Sequence, residues 1–267
     1  MNRMVRTAPL YLALFSGLLA LSCGDGSESG RGDGVPPSGR RPAETLVAKG
    51  EEVIHIPFEL ERNKVILPVR VGGSRVLRVL LDSGMHFDGL LLYNRTLTDS
   101  LGIDDFMDVR VGGAGSGDAS TAAMADSVTF SIGDAELVNQ RVIVLQNDLF
   151  EDFPSDGVTG YSLFGHYAVE IDYDTSVITL HDPDSLSIDD SWASIPLAFR
   201  GNMIPWVDAS VSMRGGEETA VSLYIDLASG EAVEMLIRDG MRYDLPPGLE
   251  EVYLGRGLSG DVTGYRG

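Results

Sequence analysis

An all-β chain of two similar lobes in tandem, the second incomplete, is predicted by short apolar runs broken by turns, by abundant glycine and by an internal repeat. The 267 residues are 43% hydrophobic and include 32 glycines, so the chain can bury a sizeable core while turning often. No long amphipathic helical pattern occurs in it.

From Val53 the pattern is one of strands. Ile54 to Leu60, Val65 to Val71, a Gly72-Gly73 turn and Val76 to Leu81 form a hairpin series with period-2 character. Gly89 to Tyr93 returns to the core, and Asp108 to Gly117 reads as a hairpin whose mobile tip is mostly glycine. Val128 to Ile132 and Gln140 to Leu145 add two strands, and Gly157 to Phe164 reads as a turn entering a short helix. Val169 to Asp174 and Val177 to Leu180 make a closing hairpin.

The repeat carries the two-lobe reading. Ile56-Pro57-Phe58 recurs as Ile195-Pro196-Leu197, and the strand ending Leu80-Leu81-Asp82 recurs as Tyr224-Ile225-Asp226. The glycine tip at Val109 to Gly112 and Ser116 to Asp118 recurs at Val252 to Gly255 and Ser259 to Asp261. The expected organisation is a leader at 1–22, a flexible linker at 23–50, a first lobe at 51–183, an interlobe linker at 184–193 and a second, degenerate lobe at 194–267. The second repeat stops soon after its glycine tip, so the chain reads as a fragment whose second lobe lacks its last strands, leaving edges that associate.

A net charge of -20 with no basic patch excludes nucleic acid as a partner. The single cysteine excludes an intrachain disulfide and a cysteine-rich zinc site. Arg3 and Arg6, the apolar run Leu10 to Leu21 and Cys23 resemble a bacterial lipoprotein signal, which implies export to the cell envelope and a lipid anchor on Cys23 as the only membrane contact. Ala20, where that signal usually has leucine, keeps an ordinary cleaved secretory leader as the alternative. The Gly, Ser, Asp and Pro mixture from Gly24 to Arg41 cannot bury enough surface to order itself and reads as a tether.

Asp82 follows an apolar strand and precedes Ser83-Gly84, where burial of its carboxylate would perturb its protonation; the plainer alternative for this stretch alone is an Asx-turn closing a surface hairpin. With the repeat, Asp82 and Asp226 form a candidate catalytic pair. Two like charges held close cannot both ionise cheaply, so they share a proton: one carboxylate takes a proton from water while the other polarises a carbonyl. Aspartic proteases are the worked instance of that split titration. A glycine hairpin can close over an extended peptide bound there.

The sequence resembles the retropepsin-like aspartic proteases, and more closely their exported bacterial members with tandem lobes. The likeness rests on Leu81-Asp82-Ser83-Gly84 as the signature, Gly112 to Gly117 as the flap, and Gly157-Val158-Thr159-Gly160 leading to Ile171-Asp172-Tyr173. It implies acid-protease β-barrel lobes, Asp82 as the catalytic carboxylate, bracing by Ser83 and Gly84, substrate contact at Gly112, Gly113, Gly115 and Gly117, a peptide or protein substrate, and neither cofactor nor metal. Met85 replaces the family's small residue and would crowd the site, and Asp226-Leu227-Ala228 replaces the second signature, so the brace cannot form symmetrically. Three arrangements follow: Asp226 as a weakened partner, a homodimer in which two Asp82 residues meet, or a noncatalytic peptide-binding module.

Other motifs are weaker. His55, His86, His166 and His181 lack metal spacing and read as structural; Gly160 to Gly165 misses a serine-hydrolase elbow by one residue; the acidic linker Asp182, Asp184, Asp189 and Asp190 lacks a calcium-loop pattern.

Overall fold

The computed structural model describes residues 19–20, 44–46, 53–85, 88–147, 149–150, 153–199, 203–212, 216–236 and 247–266. Cys23, His86, most of the leader and most of the tether lie outside the described residues. The strands in chain order are β1 (Leu19–Ala20), β2 (Glu44–Leu46), β3 (Val53–Pro57), β4 (Glu59–Glu61), β5 (Lys64–Val71), β6 (Leu77–Leu81), β7 (Gly89–Leu92), β8 (Met107–Gly113) and β9 (Ser120–Ile132). They continue as β10 (Ala135–Leu145), β11 (Gly157–Thr159), β12 (Ala168–Asp172), β13 (Val177–His181), β14 (Ala198–Phe199), β15 (Pro205–Val211), β16 (Thr219–Tyr224), β17 (Glu250–Gly257) and β18 (Gly260–Arg266). Among the described residues helix is confined to one turn, α1 (Tyr161–Phe164), and a 3₁₀ segment at Arg95–Ser100. Strand at 51% against helix at 5% makes the described residues nearly all-β.

Six strands close a barrel in the order β5-β6-β11-β7-β10-β9, the last pairing back onto β5. Their side chains alternate between two buried faces, which is why the strands read as unbroken apolar runs. Val65, Leu67, Val69, Leu77, Val79, Leu81, Leu90, Leu92, Val142 and Val144 share one cluster with Ile54, Ile56, Ile178 and Leu180 of the β12-β13-β3 sheet. Their intervening neighbours Ile66, Leu80, Leu91, Ile143 and Leu145 face the other way and pack with Ala228 and Leu258 from the second half. A slip of one residue would exchange the clusters, so the register is strongly specified.

The structure lengthens two strands. β9 begins at Ser120 rather than Val128, because the small residues Ala122, Ala123 and Ala125 are buried where larger ones were sought. β10 begins at Ala135, and left-handed backbone at Asn139 sits at a break in its register with β9. The segment Gly157–Thr159 is a strand and not a turn, set parallel to β6 and antiparallel to β7.

The second half holds a three-stranded β14-β15-β16 sheet and the β17-β18 hairpin. β16 ends just before Asp226 as β6 ends just before Asp82. The resemblance fails at Ile195, which is 72% exposed and outside any strand while its counterpart Ile56 is fully buried.

Candidate active site

Asp82 leaves the end of β6 under tight constraint. Its N–H donates to the Thr159 carbonyl at 2.8 Å, and Gly160 passes so close that a Cβ there would lie 1.8 Å from the Asp82 carbonyl oxygen. The neighbouring turn is held by buried polar groups: Ser162 Oγ donates to Gln140 Oε1 at 2.7 Å and accepts the Gly89 N–H at 2.6 Å, and Thr159 Oγ1 donates to the Gly89 carbonyl at 2.8 Å. Ser162 is thus a structural hydroxyl. Nearly all of Asp82 is buried, and its Oδ1 accepts the Gly84 N–H at 2.6 Å.

Asp226 repeats the motif. Its Oδ1 accepts N–H groups from Ala228 at 2.8 Å and Ser229 at 3.0 Å. Asp226 Oδ2 is buried and meets no donor at hydrogen-bond geometry among the described residues. Gly84 lies against both carboxylates: a Cβ on it would stand 3.0 Å from Asp82 Oδ1 and 3.7 Å from Asp226 Oδ2. Glycine is needed there for space. Ala228 lies outside the left-handed region, and its methyl packs into the apolar cluster, so alanine is accommodated at the matching position.

Ser83 bridges the halves. Its hydroxyl donates to the Ile225 carbonyl at 2.7 Å and accepts the Leu227 N–H at 3.0 Å. Leu227 has no hydroxyl to return the bond and packs instead against the core of the first half. Met85, expected to crowd the site, is fully buried among Ile66, Leu80, Leu91 and Val158.

Burial and then the charge of Asp226 push the Asp82 carboxyl well above the usual carboxylate range, against the opposing pull of the Gly84 N–H and Lys64. Burial likewise raises Asp226 to about 6, opposed by its two amide donors. A pair so coupled holds one proton between pH values that ordinary carboxylates do not reach.

Two residues that sequence reasoning missed join the site. Lys64 is buried at the start of β5, and its Nζ donates to the Ala228 carbonyl. A lysine beside a hairpin turn reads as solvated, and only the second half covers it. The buried Tyr93 hydroxyl is pushed up first by desolvation and then by the charge of Asp82, with its ring 4.6 Å from Phe150 and 5.7 Å from Phe153.

The two glycine hairpins meet tip to tip. Gly117 N–H donates to the Ser259 carbonyl at 2.6 Å, Ser259 N–H to the Ala114 carbonyl at 2.9 Å and Gly113 N–H to Ser259 Oγ at 3.2 Å. Gly115 has a φ of +113° and no room for a Cβ, which would lie 2.4 Å from the Ser259 carbonyl carbon. Gly112 and Gly113 end β8, whose edge also pairs with β1. Beside Asp226 a cavity of about 530 Å³ is lined by Trp206, Tyr224, Ile225, Glu231, Glu234 and neighbouring apolar side chains.

No curated protein matches the chain significantly. Residues 67–166, from β5 through α1, match the family described as Aspartyl protease, and this span contains the Asp82 turn, the first glycine hairpin and the Gly157–Gly160 segment. Over residues 67–166 the chain is therefore similar to a retropepsin-like aspartyl protease family.

Proposed function

We propose that the chain is an aspartic-type peptidase of tandem-lobe organisation in which Asp82 and Asp226 of one chain form the catalytic pair. The observation that carries this reading is that both carboxylates lie against Gly84, and each accepts the amide two residues on. The ionised carboxylate takes a proton from water as the water oxygen bonds to the peptide carbonyl carbon, and the protonated carboxyl gives its proton to the carbonyl oxygen. Collapse of the tetrahedral intermediate breaks the C–N bond as one diol hydroxyl returns its proton to the carboxylate that had donated and the other carboxyl gives its proton to the leaving amine, which restores the pair. An extended peptide would lie beneath the glycine hairpins and pair with their backbone.

The Ser83 bonds to Ile225 and Leu227 of the same chain favour an intrachain pair over two Asp82 residues from separate copies. Export, with a lipid on Cys23 holding the enzyme at a bacterial cell envelope, belongs to the same proposal. Peptide cleavage from pH 3 to 7 tests it, with Asp82→Asn and Asp226→Asn alongside. Loss in both variants supports the intrachain pair, loss in Asp82→Asn alone supports a homodimer, and no cleavage by the parent protein leaves a peptide-binding module on this fold.

A further inference from the structure

Lys64 is a buried cation that the hydrolytic step does not use. Its Nζ donates to the carbonyl oxygen of the Ala228–Ser229 peptide unit, and the N–H of that same unit donates to Asp226 Oδ1 at 3.0 Å. One polarised amide therefore links the ammonium to one carboxylate. Hydrogen bonds in series through a single peptide group strengthen one another in a low-dielectric interior. Asp82 has no such relay among the described residues, and its Oδ1 accepts a single amide where Asp226 accepts two.

We propose that Lys64 is a positioning residue that makes the two carboxylates unequal: through the Ala228–Ser229 peptide it holds the negative charge of the pair on Asp226 and leaves the shared proton on Asp82. The catalytic consequence rests on the peptidase reading. Asp226 then accepts the proton from water, and Asp82 donates to the substrate carbonyl.

The ionisable groups around Lys64 agree with this assignment. Asp226, Asp82, Glu234 and Glu231 face the ammonium, with Asp226 the strongest electrostatic partner. Glu231 is paired with Arg266, and Glu234 accepts the Ser229 hydroxyl at 2.8 Å. Glu61, opposite Lys64 across the hairpin, is bonded to Arg78. Burial pulls the ammonium down and the four carboxylates hold it up, so its charge is tied to that of the pair.

The test combines NMR titration of the aspartate carboxyl carbons and the Lys64 Cε with the pH profile of cleavage, in the parent protein, Lys64→Met and Lys64→Arg. In the parent, Asp226 ionises at lower pH than Asp82, and the Lys64 Cε signal inflects with it. Lys64→Met raises the Asp226 titration and moves the rate profile toward higher pH, so the ratio of rates at pH 6.5 and 4.5 rises about threefold, whereas Lys64→Arg restores the parent profile. Asp82 ionising first, no Lys64 inflection, or a Lys64→Met protein with lower thermal stability and unmoved titrations would overturn the proposal. If Lys64→Met does not fold, the order of titration in the parent decides. Absence of any cleavage defeats the peptidase reading alone, since the carboxyl titrations still read the role of Lys64.

Discussion

The Ser83 hydroxyl donates to the Ile225 carbonyl at 2.7 Å, joining the Asp82 turn of one half to the strand end of the other. With the returning Leu227 N–H, it forms one half of a brace whose mirror image Leu227 cannot make. Removing it should leave two part-buried backbone groups without this partner. Ser83→Ala is expected to cost about 1–2 kcal/mol in urea unfolding, and Ser83→Thr, which keeps the hydroxyl, less than about 1 kcal/mol. Equal losses in the two variants would mean that the bridge contributes through shape alone.

Stability should fall as pH rises through the range of the carboxylate pair. Both Asp82 and Asp226 are raised above their ordinary values, so the native state binds more protons than the unfolded chain between the two values. That contribution is fully present below about 3.8 and is lost as pH rises through about 6 for Asp226. The loss is on the order of 3 kcal/mol between pH 4 and 7. Asp226→Asn should flatten this slope in denaturation curves measured across that interval, and a slope left unchanged would remove the proposed coupling.

The hairpin tips leave no room for a side chain at Gly115. Gly115→Val should therefore part the tips, raise KM for peptide substrates and speed proteolytic nicking near residues 114–119. Global stability should fall by no more than about 1–3 kcal/mol, the cost of a valine at the Gly115 φ of +113°, because the tip is exposed and adds little to the core. Unchanged nicking would show that the contact does not hold the hairpins together.

Asp156, just before β11, ties that strand to β6. Its carboxylate accepts the Arg78 N–H at 2.8 Å and meets Arg75 at 2.5 and 2.8 Å. Arg75 is largely exposed, so the charge pair adds little and the backbone bond matters more. Asp156→Ala is expected to cost about 1–3 kcal/mol, with at least half of that effect insensitive to salt. A loss that vanishes in high salt would reverse the assignment.

Much of the barrel was legible because its strands are buried on two faces. Runs such as Val79-Leu80-Leu81 and Leu90-Leu91-Leu92 leave few alternatives, and the turns between them carry glycine or an Asx pattern. The first part of β9 escaped notice, since its Ala-rich stretch has neither the bulk nor the branching that marks a strand. Leu227 and Ala228 read as decay of a motif. In the fold each has a place in an apolar cluster, and the hydroxyl of Ser83 ties the two aspartate turns together without a returning hydroxyl from Leu227.

By itself the order of residues determined the all-β class, the two aspartate turns and the two glycine hairpins, because alternation, turn chemistry and internal repetition are local properties. Only the tertiary structure decided that both carboxylates lie against Gly84, that the hairpin tips bond through Ser259, and that Lys64 lies behind Ala228, 164 residues away. Those relations arise where two distant stretches exclude water together. The charge state of a lysine or an aspartate there depends on neighbours that sequence spacing does not reveal.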